Sequence, residues 1–156
     1  MKYKANILVV DDDRAACKSI ANILVHEGYW VDMAGGGDEA LAMEAKKEYA
    51  MVIADLKMPG VSGLDLLKQL KTRNPDLTVI IITGYPSIKT AVESIKESAF
   101  DYIPKPFTPG ELRDMVSRAL ERRFNFEEIA AKAGLSEKKL VEIVSPDKNP
   151  GSREKE

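Results

Sequence analysis

A chain of 156 residues, 44% hydrophobic and 31% charged, can bury one ordinary core and is too short for two full domains, so one domain with an appendage is expected. A formal charge of -2 and a pI near 5.6 argue against a broad electrostatic footprint for nucleic acid or an anionic membrane. No apolar run approaches the roughly 20 residues needed to span a bilayer, and Met1-Lys-Tyr-Lys leads straight into a strand pattern rather than a signal-peptide core, so a soluble, cytoplasmic protein is expected.

Asn6 to Val10 is an apolar strand that runs directly into Asp11, Asp12 and Asp13. Asp13 suits the cap of the following helix, because a short carboxylate accepts from the free amides of a first turn and complements the helix dipole. Ala16, Ile20, Ile23 and Leu24 recur at helical spacing and Gly28 ends the helix. Cys17, the only cysteine, permits neither an internal disulfide nor a thiolate metal cage and reads as a small packing residue. His26, late in the same helix, reads as a surface residue. Trp30 to Ala34 is a weaker strand, interrupted by Asp32, and Gly35 to Gly37 form a joint before a helix from about Asp38 to Lys47.

The pivotal stretch is Met51-Val-Ile-Ala-Asp-Leu-Lys-Met-Pro-Gly-Val-Ser-Gly63. Its apolar start reads as a strand buried on both faces, and Pro59, Gly60 and Gly63 force a loop directly after Asp55. A helix with Leu66, Leu67 and Leu70 on one face follows, broken at Asn74-Pro75-Asp76. Thr78 to Thr83, rich in β-branched residues, predicts a further strand. A fourth helix places Ile88, Ala91, Val92 and Ile95 on one side. Asp101 to Pro104 makes a short fifth strand before Lys105-Pro106, and Leu112, Met115, Val116, Ala119 and Leu120 mark a fifth amphipathic helix.

Five strands alternating with five helices through short loops predict an α/β fold, a doubly wound parallel sheet. In such a sheet ligands gather at the carboxyl ends of the strands. Asp11, Asp12, Asp55, Thr83 and Lys105 all fall there, from four strands, while the second strand contributes none and suits an edge. Three carboxylates on one rim repel unless a cation sits among them. An all-oxygen set without His or Cys favours a hard ion, and Mg²⁺ with its waters fits better than a calcium cage. A carboxylate can attack phosphorus to give an aspartyl phosphate, with Lys105 as a point charge for phosphoryl oxygens and the Thr83 hydroxyl as a hydrogen-bond donor.

Taken together, Val9-Val10-Asp11-Asp12, Asp55-Leu-Lys-Met-Pro-Gly60, Thr83-Gly84 and Lys105-Pro106-Phe107 resemble the receiver domain of bacterial two-component response regulators, over Asn6 to about Leu120. The resemblance implies a flavodoxin-like strand order 2-1-3-4-5. It implies that Asp55 takes a phosphoryl group from a sensor histidine kinase or phosphotransfer protein, that Asp12, Asp55 and the backbone carbonyl of Lys57 bind Mg²⁺, and that Asp11 acts through a metal-bound water. Thr83 and Tyr102 would form the switch pair, with output through the fourth helix, fifth strand and fifth helix. Lys57 and Tyr85 would tune the lifetime of the phosphoryl group, and Lys105-Pro106 would be a cis peptide. Glu97-Ser98-Ala99 departs from the family pattern, which usually has glycine before the alanine. The chain would be a signalling switch that catalyses only its own phosphorylation and slow dephosphorylation, and phosphorylation-dependent homodimerisation is left open.

Two rival readings make different demands on these positions. A magnesium-dependent phosphohydrolase would want a catalytic Asp two residues after the nucleophile, where Lys57 stands; a degenerate receiver acting as a binding module would lack part of the acidic, hydroxyl and lysine set. The expected boundaries are a receiver domain over 1–123, a helical extension over 124–145 and a disordered tail over 146–156. Phe126 to Val144 reads as helix, Gly134-Leu135-Ser136 turn and helix, similar to a minimal helix-turn-helix. From Phe124 onward seven acids exceed six bases, which disfavours DNA binding by this segment.

Overall fold

The computed structural model describes residues 3–134 and 136. The elements are β1 (Asn6–Val10), α1 (Arg14–His26), β2 (Trp30–Ala34), α2 (Gly37–Lys46), β3 (Met51–Asp55), α3 (Gly63–Arg73), β4 (Thr78–Thr83), α4 (Ile88–Lys96), β5 (Asp101–Pro104) and α5 (Pro109–Ala133). All strand pairs are parallel, and the sheet order is β2-β1-β3-β4-β5. The order reverses between β1 and β3, which places Asp11 and Asp55 at the ends of neighbouring strands.

The central strands form the core because both of their faces are covered. Ile7, Leu8, Val9, Met51, Val52, Val79, Ile80 and Ile81 are fully buried, and each such side chain contributes roughly 1.5–3 kcal/mol relative to exposure. β2, with exposed Trp30 and Met33, lies at an edge of the sheet, as its lack of a rim residue suggests. Cys17 is buried and its thiol donates to the Val9 carbonyl at 3.5 Å, a packing role.

Local chemistry sets the helix ends. The Asp13 carboxylate accepts from the amides of Ala15 and Ala16, as a first-turn cap should. Gly28 takes a left-handed φ of 96° past the end of α1, which glycine adopts without a Cβ clash. Ser98, also left-handed at φ 69°, stands where the receiver pattern usually has glycine, and its amide closes the end of α4 on Ile95 at 3.0 Å.

Two helices with similar sequence patterns end differently. Leu66, Leu67 and Leu70 of α3 are fully buried, whereas Ile88 and Ile95 of α4 are 86% and 65% exposed and Val92 is also exposed. The buried residue of α4 is Ser94.

The chain divides into two compact units, Met1–Ser117 and Arg118–Glu156. The first carries the sheet and the acidic rim. The helix read as starting at Phe126 belongs to α5, which runs to Ala133; no glycine or proline between Gly110 and Gly134 interrupts it. Gly134 then turns with φ 72°. The second helix of that reading, to Val144, and the tail from Pro146 lie outside the described residues.

Candidate functional site

β1 ends at Val10 and delivers Asp11, which is buried, with Asp12 exposed beside it. One Asp11 oxygen accepts from the Asp13 amide at 2.9 Å, which fixes the carboxylate in a tight turn. Asp55 is the last residue of β3 and half-buried. The loop after it folds back so closely that a Cβ on Gly63 would collide with the Asp55 carbonyl oxygen and come within 2.7 Å of the Leu56 Cα. Gly63 is therefore required by the packing behind the acidic residue, and its amide donates to the Leu56 carbonyl at 2.8 Å.

Lys105 reaches across from the end of β5. Its ammonium lies 3.1 Å from Asp11 and 3.1 Å from Asp55. Burial works against this charge, but the two carboxylates outweigh burial and hold the Lys105 ammonium above its ordinary pKa. Burial raises the Asp55 carboxyl above its ordinary value, the Asp11 charge adds to this, and Lys105 offsets only part of it. One cation thus leaves the rim acidic. Asp11, Asp12 and Asp55 each present an oxygen, all within 4.8 Å of one another, and this all-oxygen set fits a hard divalent cation.

Thr83, fully buried at the end of β4, accepts a hydrogen bond from the Tyr85 amide at 3.0 Å. Tyr102 on β5 is half-buried against the core. Lys57 and Tyr85, from the loops after β3 and β4, meet: the Lys57 ammonium sits 4.5 Å from the centre of the Tyr85 ring, which is 70% exposed. The Lys105-Pro106 peptide is cis, as the resemblance implies.

The sequence reading passed over two residues beside Tyr102. Its hydroxyl is 2.7 Å from the Thr90 hydroxyl and accepts from the Ser87 amide at 3.3 Å. Ser87 before an apolar-periodic run is a recognisable cap signal, but nothing local links it to a residue fifteen positions on. The cluster around Asp32 was also missed: its carboxylate accepts from Tyr49 at 2.6 Å, Lys47 at 3.1 Å and the Trp30 indole at 3.0 Å.

A doubly wound sheet of this order with carboxylates, a hydroxyl and a lysine converging on the switch-point rim defines a phosphoryl-signalling module. The response regulator receiver domain model matches residues 7–117, and the chain belongs to that family. The transcriptional regulatory protein ZraR of Klebsiella oxytoca is 39% identical over 117 residues, covering 75% of this chain and 26% of the relative. The response regulator MprA of Mycobacterium ulcerans is 39% identical over 122 residues, covering 78% and 52%. The chain thus spans about a quarter of the length of its ZraR relatives. Among solved structures, a CheY-like receiver domain protein from Methanospirillum hungatei superimposes with a TM-score of 0.76 at 33% identity, covering 80% of this chain and 98% of that one. The receiver domain of NtrX from Brucella abortus gives 0.71 at 38% identity, covering 74% and 98%. No helix among the described residues is long and apolar enough to cross a membrane.

Proposed function

We propose that Asp55 is the phosphoryl acceptor and that the donor is a phosphohistidine on a sensor histidine kinase or phosphotransfer protein in the cytoplasm. The observation that carries this reading is the shared ammonium of Lys105, equidistant from Asp11 and Asp55, beside three carboxylates close enough to hold one cation. In the transfer, an Asp55 oxygen forms the bond to phosphorus as the phosphorus–nitrogen bond breaks, and the departing imidazole keeps the electron pair. Lys105 then turns from pairing Asp55 to pairing a phosphoryl oxygen. Mg²⁺ held by Asp12, Asp55 and the Lys57 carbonyl, with Asp11 acting through water, would neutralise charge on the transferring group.

Thr83 and Tyr102 act as the switch pair in this reading, and output runs through the face that includes α4 and β5. The exposed Ile88, Val92 and Ile95 suit an apolar partner surface there, with a second phosphorylated copy as the occupant to test first. The phosphohydrolase reading loses ground because Lys57 stacks on Tyr85, so the place that would need a general acid and base holds an engaged cation. That stack supports a long-lived phosphoryl group: an ammonium and a ring at the mouth of the site hinder the approach of an in-line water, and neither can orient one. DNA is not assigned as a ligand of this chain, in keeping with the acidic balance beyond Phe124.

The test is incubation with acetyl phosphate and Mg²⁺, followed by intact mass and size-exclusion chromatography. A single phosphoryl increment is expected in the wild-type chain and none in Asp55→Asn; full labelling of that variant rejects the assignment. After donor removal at constant Mg²⁺, Lys57→Asn combined with Tyr85→Glu should lose the phosphoryl group about tenfold faster, a barrier change of about 1.4 kcal/mol. Unchanged decay means that neither side chain guards the site.

A further inference from the structure

The loop from Gly84 to Ser87 joins β4 to α4, and two of its amides are held by side-chain oxygens of the two proposed switch residues. The Tyr85 amide donates to the Thr83 hydroxyl, and the Ser87 amide donates to the Tyr102 hydroxyl. The Tyr102 and Thr90 hydroxyls lie 2.7 Å apart, and either can donate to the other. The Thr90 hydroxyl is also 2.8 Å from the Ser87 hydroxyl and 3.3 Å from the Ser87 carbonyl, which can accept its proton. The Ser87 hydroxyl also caps the helix by accepting from the Thr90 amide at 3.1 Å, and Thr90 is held from behind by Ser94, whose hydroxyl donates to the Thr90 carbonyl at 2.7 Å. The first turn of α4 is therefore a socket of hydroxyl groups built around one phenol.

We propose that Thr90 is a positioning residue that latches Tyr102 against the start of α4 and so sets the energy needed to switch. The inference rests on the reading that Thr83 and Tyr102 form the switch pair. If the Thr83 hydroxyl turns to a phosphoryl oxygen it releases the Tyr85 amide, and the loop loses one of its two clamps. Moving Tyr102 breaks the other and leaves the Thr90 and Ser87 groups without their phenol. A ligand that selects the switched state must overcome that loss, so its apparent affinity is lowered by the fraction of chains that remain latched. Weakening the latch should make the chain easier to switch, the opposite of what simple damage to a site does.

The probe is beryllofluoride, a phosphoryl mimic, titrated at constant Mg²⁺ and followed by amide NMR of the whole chain. Thr90→Val, which keeps the β-branched shape and removes the hydroxyl, should raise the apparent affinity about fivefold, equivalent to about 1 kcal/mol at 1.4 kcal/mol per factor of ten. Thr90→Ser, which restores the hydroxyl, should return it to within about twofold of wild type, since the hydroxyl rather than the methyl makes the bond. In a Tyr102→Phe background Thr90→Val should have no further effect, because the partner is already gone. Thr90→Ala removes the same hydroxyl and serves should the valine variant not fold. Unchanged or weaker affinity on losing the hydroxyl, or an equal gain in the Tyr102→Phe background, overturns the latch. The underlying reading fails separately: a Thr83→Ala chain whose α4 amides still respond fully to beryllofluoride removes the switch pair and the latch with it, whereas a blunted response there with unchanged Thr90→Val affinity removes only the latch.

Discussion

α3 and α4 flank the same sheet and carry the same kind of apolar periodicity, yet one buries its stripe and the other exposes it. In α3 the leucines are sealed in the core, so hydrophobic burial holds the helix in one place. In α4 the isoleucines face outward, and the inward side is fastened by Ser87, Thr90, Ser94 and Tyr102 through hydroxyl groups. A buried leucine cannot leave without opening a cavity. Hydrogen bonds between hydroxyls contribute about 1 kcal/mol each and can be re-formed with other partners. The difference suits a module in which α3 is held firmly while α4, packed beside it, is fastened by bonds that can be exchanged.

The comparison can be broken most directly in α3. Leu70→Ala should destabilise the chain by about 3 kcal/mol in urea unfolding; a loss under 1 kcal/mol would mean that α3 is no better anchored than α4. Of intermediate size is the effect at the β2 edge. Burial alone would raise the Asp32 carboxyl, but hydrogen bonds from Tyr49, Lys47 and Trp30 outweigh it and hold Asp32 below the ordinary carboxylate value. The same contact, after burial, keeps the Tyr49 hydroxyl above its ordinary pKa. A depressed carboxyl contributes stability above the ordinary Asp range and loses it as pH falls through the folded-state value. Asp32→Asn should therefore cost about 1 kcal/mol at pH 7, with the gap to wild type closing on acidification below the ordinary Asp value of 3.8. A gap that stays constant with pH would show that the carboxylate charge is not what matters.

Two smaller effects sharpen the α4 side. Ser98 carries a Cβ in a left-handed conformation that costs an L-residue roughly 1–2 kcal/mol, offset in part by the greater chain entropy that glycine brings to the unfolded state. Ser98→Gly should raise stability by about 0.5 kcal/mol; destabilisation would show that the serine is accommodated by more than its backbone. Ile95→Ala, on the exposed stripe, should change stability by less than about 0.5 kcal/mol while weakening any phosphorylation-dependent self-association seen by size exclusion. A loss comparable to that of Leu70→Ala would place Ile95 in a core and abolish the distinction between the helices.

The sequence by itself determined the alternation of elements, because strand and helix differ in hydrophobic period and glycine, proline and Asp13 punctuate them locally. It also determined the rim residues: once Asp11, Asp55, Thr83 and Lys105 are each assigned to a strand end, a parallel sheet brings those ends to one side whatever the packing details. Only the tertiary structure decided which way α4 faces, since Ile88, Val92 and Ile95 satisfy the same helical spacing whether the stripe is turned inward or outward. Only it joined Lys57 to Tyr85, Asp32 to Tyr49, and Tyr102 to Thr90, pairs that lie far apart in the chain and whose members each have an ordinary local role. The physical reason is one of range. Backbone preference and periodicity act over a few residues and are written in composition, whereas the partner of a polar side chain is chosen by the geometry of loops that close only when the whole sheet is assembled.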